Sequence, residues 1–170
     1  MSIDFSVAKC QDSSRKRLFG ICDDPAPATN RAYLDEENGA KWIVVVQNEY
    51  EYDVLFTAID HCIQVPPRPD NGRPSKRCDG MLSYNETVIF VELKERAQFG
   101  TDWIRDAEKQ LKTTIAHFET TELVEDFKDK KAYAANSEHP KSKQGHLVRI
   151  EKFFEDTGYV LRLQNRITVE

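Results

Sequence analysis

From Val88 to Val91 the chain is apolar without a break, and it then passes directly into Glu92-Leu93-Lys94. A short unbroken apolar run fits a strand buried on both faces, so charge at its end needs a reason. If the chain turns symmetrically about Asn85-Glu86, Tyr84 faces Thr87, Leu82 faces Ile89 and Asp79 faces Glu92, because facing pairs in an antiparallel ladder keep a constant sum. Side chains alternate along a strand, so Glu92 and Lys94 share a face with Val88 and Phe90, and Asp79 lies on that face too.

Other segments carry their own periods. Residues 42–47 (WIVVVQ) read as a strand, and 53–59 (DVLFTAI) as a second, joined through the polar aromatic turn at 48–52. Phe56, Ile59 and Ile63 also fit a helical face, but β-branched and aromatic content favours the strand. Residues 101–118 predict an amphipathic helix, with Trp103, Ile104, Ala107, Leu111, Ile115 and Phe118 in its stripe and Thr101 or Asp102 as N-cap. Gln110 sits at the edge of that stripe, toward the charged end of the hairpin. Residues 131–136 follow as a strand, parallel to the one before the helix through a right-handed crossover. Residues 146–156 then predict a second helix with Leu147, Ile150, Phe153 and Phe154 on one face, closed by Gly158, and 159–163 a last strand. The fold class expected is α/β, a mixed β-sheet flanked by helices in βββ-α-β order with a further helix and strand. Residues 1–30 carry mixed signals and a Pro-rich stretch from Asp23 to Thr29 that reads as a loop.

Composition narrows the function classes. A chain of 170 residues, 39% hydrophobic and 31% charged, is expected to form a single domain over its length. No apolar stretch approaches the length that crosses a membrane and the first residues lack the apolar core of a signal peptide, so a cytoplasmic protein is expected. Cys10, Cys22, Cys62 and Cys78 show no C-x-x-C spacing and the four histidines are scattered, so the cysteines are expected to be reduced and structural, with zinc ligation the lesser alternative. Net charge of −5 argues against coating nucleic acid by bulk electrostatics. The loop running into Asp79 is locally basic, with Arg68, Arg73, Lys76 and Arg77 against Asp70, and suits contact with phosphates. A second cluster, Lys128, Lys130 and Lys131, reads as an exposed helix end. With only 7 glycines there is no glycine-rich phosphate loop.

The hairpin is where chemistry converges. Like charges directly opposite each other weaken a sheet by up to about 1 kcal/mol, and burial pushes a carboxylate toward its protonated form. A divalent cation between Asp79 and Glu92 reverses that sign, and paired carboxylate oxygens suit Mg²⁺ or Mn²⁺. Lys94 beside them is placed to orient or help deprotonate a metal-bound water, or to neutralise developing phosphate charge, the arrangement of a metal-dependent hydrolase.

Asp79, a hairpin spacer and Glu92-x-Lys94 on an apolar strand resemble the signature of the PD-(D/E)XK nuclease superfamily, which includes restriction-type endonucleases, repair nucleases and Holliday-junction resolvases. The resemblance covers most of the chain; the eponymous proline is replaced by Arg77-Cys78. It implies a restriction-endonuclease-like core and a Mg²⁺-dependent endonuclease acting on DNA, with RNA not excluded. In those roles Asp79 and Glu92 hold the metal, the Leu93 carbonyl adds a ligand and Lys94 assists the attacking water. Gln110 is similar to a glutamine that members carry on the helix after the Glu-x-Lys strand, and with Arg73, Lys76 and Arg77 it forms the expected substrate contacts. An early acidic residue often joins the site, and Glu36 and Glu37 are the candidates. Nucleases of this size frequently work as dimers or beside a partner that supplies specificity. The competing expectation is a catalytically silent domain of the same build, serving as a protein-interaction or regulatory module in a defence or toxin-related system.

Overall fold

The computed structural model describes residues 3–25, 27–94, 102–136 and 146–170. Its strands are β1 Gln11–Ser14, β2 Leu18–Cys22, β3 Tyr33–Asp35, β4 Val44–Gln47, β5 Val54–Ala58, β6 Gly80–Tyr84, β7 Thr87–Lys94, β8 Asp129–Asn136, β9 Val160–Arg162 and β10 Arg166–Thr168, with helices α1 Asp102–Phe118 and α2 His146–Thr157. No helix is long and apolar enough to cross a membrane among the described residues.

The protein is α/β, built on a six-stranded mixed sheet in the order β1-β5-β6-β7-β8-β9. β1, β5, β6 and β7 run antiparallel; β8 and β9 add on parallel to β7. Within this sheet the chain passes β5-β6-β7-α1-β8-α2-β9. A second sheet of four strands, β10-β4-β2-β3, packs on the face away from the helices.

β7 explains why its sequence has no polar alternation. Val88 and Phe90 point to α1, into a core with Met81, Ala107, Leu111, Ile115 and Phe118. Ile89, Val91 and Leu93 point the other way, against Phe19, Ile21, Val44 and Val46 of the second sheet. Both faces are therefore dry, and the strand must be apolar at every position until it reaches the sheet's end.

Three expectations need correction. The segments at 42–47 and 53–59 are strands, but β4 and β5 belong to different sheets, and the intervening turn carries the chain across the inter-sheet core. Trp42 itself is outside the strand: its indole donates to Asp35 at 2.8 Å and its ring covers Gly20, where a Cβ would lie 2.0 Å away. On α2, Phe153 is buried and Ile150 half-buried, whereas Leu147 and Phe154 are 67% and 52% exposed. Phe153 turns into the core, and Phe154, one residue further round the helix, falls beyond the stripe that packs against it.

The cysteine expectation also fails for one pair. Cys10 and Cys62 form a disulfide, while Cys22 and Cys78 are free and buried. Sequence separation of 52 between the bonded pair left no local spacing to read. Lys128, Lys130 and Lys131 mark the start of β8 and not a helix end; Lys130 pairs with Glu119 at 3.0 Å and lies over the Tyr159 ring. The N-cap expected at Thr101 or Asp102 falls outside the described side chains.

Candidate metal and nucleic-acid site

The turn at Asn85-Glu86 forms as counted. Tyr84 pairs with Thr87, Leu82 with Ile89 and Gly80 with Val91, which brings Asp79 to the level of Glu92. Asn85 takes the left-handed conformation such a two-residue turn requires, with φ of 49°.

Asp79 lies just before β6 and is held from two sides. Its Oδ2 accepts from the Leu93 amide at 2.7 Å, and its carbonyl accepts from Ile59 at 2.9 Å. Glu92 and Lys94 continue the row of Val88 and Phe90, so they face α1. Glu92 is 2% exposed and Asp79 9%. Glu92 Oε2 lies 3.0 Å from Lys94 Nζ, and Glu92 Oε1 is buried with no hydrogen-bond partner.

The electrostatics follow from burial. Desolvation pushes the Asp79 carboxyl well above the usual range, and the charge of Glu92 pushes it further. Desolvation raises Glu92 as well, but the neighbouring ammonium opposes it. The two carboxyls therefore titrate as a pair, with both raised by burial and the proton favoured on Asp79, because Lys94 opposes the rise at Glu92. Burial pulls Lys94 down, yet the two carboxylates outweigh it and its pKa ends raised.

The helix completes the arrangement. Gln110 on α1 accepts from Lys94 Nζ at 3.3 Å through Oε1 and donates to the Arg77 carbonyl at 3.3 Å through Nε2. Of the basic residues expected at the substrate, Arg77 is half-buried and directs one nitrogen to Asp60 Oδ1 at 3.4 Å and another to the Ile63 carbonyl at 3.4 Å. Arg73 and Lys76 are exposed on the adjoining loop. That loop is folded on itself: Arg68 N donates to the Arg73 carbonyl at 2.7 Å and Ser75 Oγ to the Pro66 carbonyl at 2.6 Å. Arg68 is paired with Asp70 at 3.0 Å.

Two further acids stand at this end of the molecule. Asp60, one residue beyond the Ile59 that bonds Asp79, raises the pKa of both Asp79 and Glu92 by its charge. Asp23 follows β2 of the second sheet; burial, then the charges of Asp79 and Asp60, push its carboxyl up to about 7. Neither is among the residues expected from sequence. Their signal was the one that marked Glu92: a carboxylate close behind an apolar strand. Glu36 does not join them. It accepts from Ser14 Oγ at 2.6 Å, and Ser14 pairs with Val54, at the end of β5 remote from Asp60. Glu37 is exposed.

Among the described residues no three Asp, Glu, His or Cys side chains approach closely enough to hold a metal by themselves. The donor set is two carboxylates and the backbone. Hard oxygen donors, a buried carboxylate oxygen without a partner and a like-charge pair that must share a proton all suit a small divalent cation that keeps part of its water shell. No family model, curated protein or solved structure matches the chain.

Proposed function

We propose that this chain is a divalent-cation-dependent phosphodiesterase that cleaves nucleic acid, DNA in the first instance, on a restriction-endonuclease-like core of PD-(D/E)XK type. One observation carries the reading: Asp79 and Glu92 come level across a hairpin, both buried, with Lys94 at 3.0 Å from Glu92. A buried like-charge pair is costly to keep in a fold without a ligand that relieves it.

Asp79, Glu92 and the Leu93 carbonyl are the groups that would hold Mg²⁺ or Mn²⁺. Bound there, the cation supplies Lewis acidity and makes water a stronger acid. The remaining work falls to the protein. Lys94 stays charged, because its pKa is raised, so its part is to orient the attacking water and to stabilise negative charge developing on phosphate. Gln110 fixes the ammonium in that position. Arg73 and Lys76, exposed on the folded loop, and Arg77 at its base give the phosphate backbone a positive approach in a chain whose net charge is −5. Asp23 and Asp60 add negative potential, which favours a cation over a bare phosphate at the carboxylates.

The test is a cleavage panel over duplex, single-stranded, branched and RNA substrates with Mg²⁺ or Mn²⁺, run beside Glu92→Ala. Wild-type protein is expected to cut at least one substrate and Glu92→Ala to lose about 10³-fold or more, on the scale of removing one preorganised electrostatic group. Undiminished cutting by Glu92→Ala would sink the assignment. Absence of both cutting and Mn²⁺ binding in the wild type would favour the silent interaction module.

A further inference from the structure

The hydroxyl of Thr114 is used twice, and only one of the two uses is the ordinary back-bond of a helical threonine. Thr114 lies on α1 one turn beyond Gln110 and is 1% exposed. Its Oγ1 donates to the Gln110 carbonyl at 2.9 Å and accepts from the Cys78 amide at 2.8 Å. Gln110 Nε2 donates to the Arg77 carbonyl. The Arg77 carbonyl and the Cys78 amide are the two polar groups of a single peptide unit. Two side chains one helical turn apart therefore grip both ends of that unit, and the next residue is Asp79.

The same helix reaches the other arm of the hairpin, since Gln110 Oε1 accepts from Lys94. Asp79 precedes its strand, where the ladder with β7 has ended, so regular pairing does not fix its backbone from that side. Ile59, one residue beyond β5, holds its carbonyl, β7 holds its carboxylate, the Asp60 amide holds the Cys78 carbonyl, and α1 holds both polar groups of the Arg77–Cys78 peptide. A threonine hydroxyl buried in a helix ordinarily bonds back to its own chain and stops there. This one closes a contact between elements 36 residues apart in sequence.

We infer that Thr114, together with Gln110, is a positioning pair that clamps the Arg77–Cys78 peptide to α1 and so sets Asp79 level with Glu92 for cation binding. The inference rests on reading those two carboxylates as the cation site. Thr114 touches neither cation nor substrate; it acts through Asp79. Outer groups that orient metal ligands change metal affinity by about 10- to 100-fold when removed.

The experiment is Mn²⁺ titration by calorimetry on wild type, Thr114→Val and Thr114→Ser, with circular dichroism to establish folding and cleavage measured in parallel. Valine keeps the volume and deletes the hydroxyl; serine keeps the hydroxyl. Thr114→Val is expected to weaken Mn²⁺ about tenfold or more, with Thr114→Ser close to wild type. A folded Thr114→Val that melts earlier but binds Mn²⁺ as wild type does overturns the inference, since a purely structural threonine would do that. If Thr114→Val does not fold, Gln110→Ala carries the test: loss of affinity supports the clamp and unchanged affinity overturns it. Mn²⁺ binding without any cleavage refutes the nuclease reading and leaves the clamp standing; absence of Mn²⁺ binding in wild type refutes both.

Discussion

Asp79 and Glu92 keep protons in the folded chain at pH values where the unfolded chain has released them, because burial raises both and the charge of Glu92 raises Asp79 further. Asp23, pushed up to about 7 by burial and by Asp79, adds to the effect with the same sign. For a carboxyl raised on folding, the contribution to stability is complete below its unfolded value, near 4, and is lost as pH rises through its folded value. The cation-free protein should therefore lose stability from about pH 4 upward through neutrality, opposite to the usual rise for salt-bridged carboxylates. Mn²⁺ competes with the same protons, so the increase in Tm that it gives should grow with pH. Melting curves across this range with chelator and with Mn²⁺ check both slopes. Asp79→Asn should flatten the first and abolish the second, and a Mn²⁺ effect that survives Asp79→Asn would remove Asp79 from the ligand set.

At the scale of elements, two glycines separate the requirements of the site from those of the fold. A Cβ on Gly80 would lie 2.5 Å from the Phe56 ring and 2.8 Å from the Thr57 carbonyl, so Gly80→Ala must force β5 from β6 immediately beside Asp79. A Cβ on Gly20 would strike the Trp42 ring, in the second sheet and away from the hairpin. Each substitution is expected to cost about 1–3 kcal/mol, the usual range for overpacking. Only Gly80→Ala should also weaken Mn²⁺ binding, as thermal shift on the two variants would reveal; equal responses to Mn²⁺ would mean that β5–β6 contact does not set the carboxylates. The hairpin and α1 were legible in the sequence for the reason that makes them rigid. β7 is dry on both faces, so its apolar run is continuous, and the buried stripe of α1 repeats at helical spacing. The second sheet was mostly illegible: β3 and β10 have three residues each, too few to establish a period, and β2 follows a basic stretch that hides its start. Asp23 and Asp60 were passed over because each sits in a loop, and only the packing of β2 and β5 at one end of the molecule turns two loop acids into neighbours of Asp79.

Across the whole molecule, the Cys10–Cys62 disulfide joins the segment entering β1 to the turn leaving β5, over a sequence separation of 52. Closing a loop of that size restrains the unfolded chain, and its contribution is about 2–4 kcal/mol. The turn it anchors also carries His61 at φ 60°, a conformation that a non-glycine residue holds only when its surroundings impose it. Asp60 in the same turn is tied down independently, by the hydrogen bond that its amide donates to the Cys78 carbonyl at 3.2 Å and by Arg77 at 3.4 Å. The disulfide should accordingly govern global stability more than the site. The double change Cys10→Ser, Cys62→Ser, or reduction of the wild type by a phosphine, is expected to lower Tm by about 5–15 °C, given the size of the chain. Mn²⁺ affinity of the protein that remains folded should stay within about threefold of wild type, less than the 10-fold or greater loss expected when a group orienting a ligand is removed. Urea unfolding with and without reductant measures the first quantity and calorimetry at a temperature where both forms are folded measures the second. An unchanged unfolding midpoint would mean that the unfolded chain gains little freedom when the bond is cut. A collapse of Mn²⁺ binding would mean that local hydrogen bonds do not hold Asp60 and its neighbours without the disulfide.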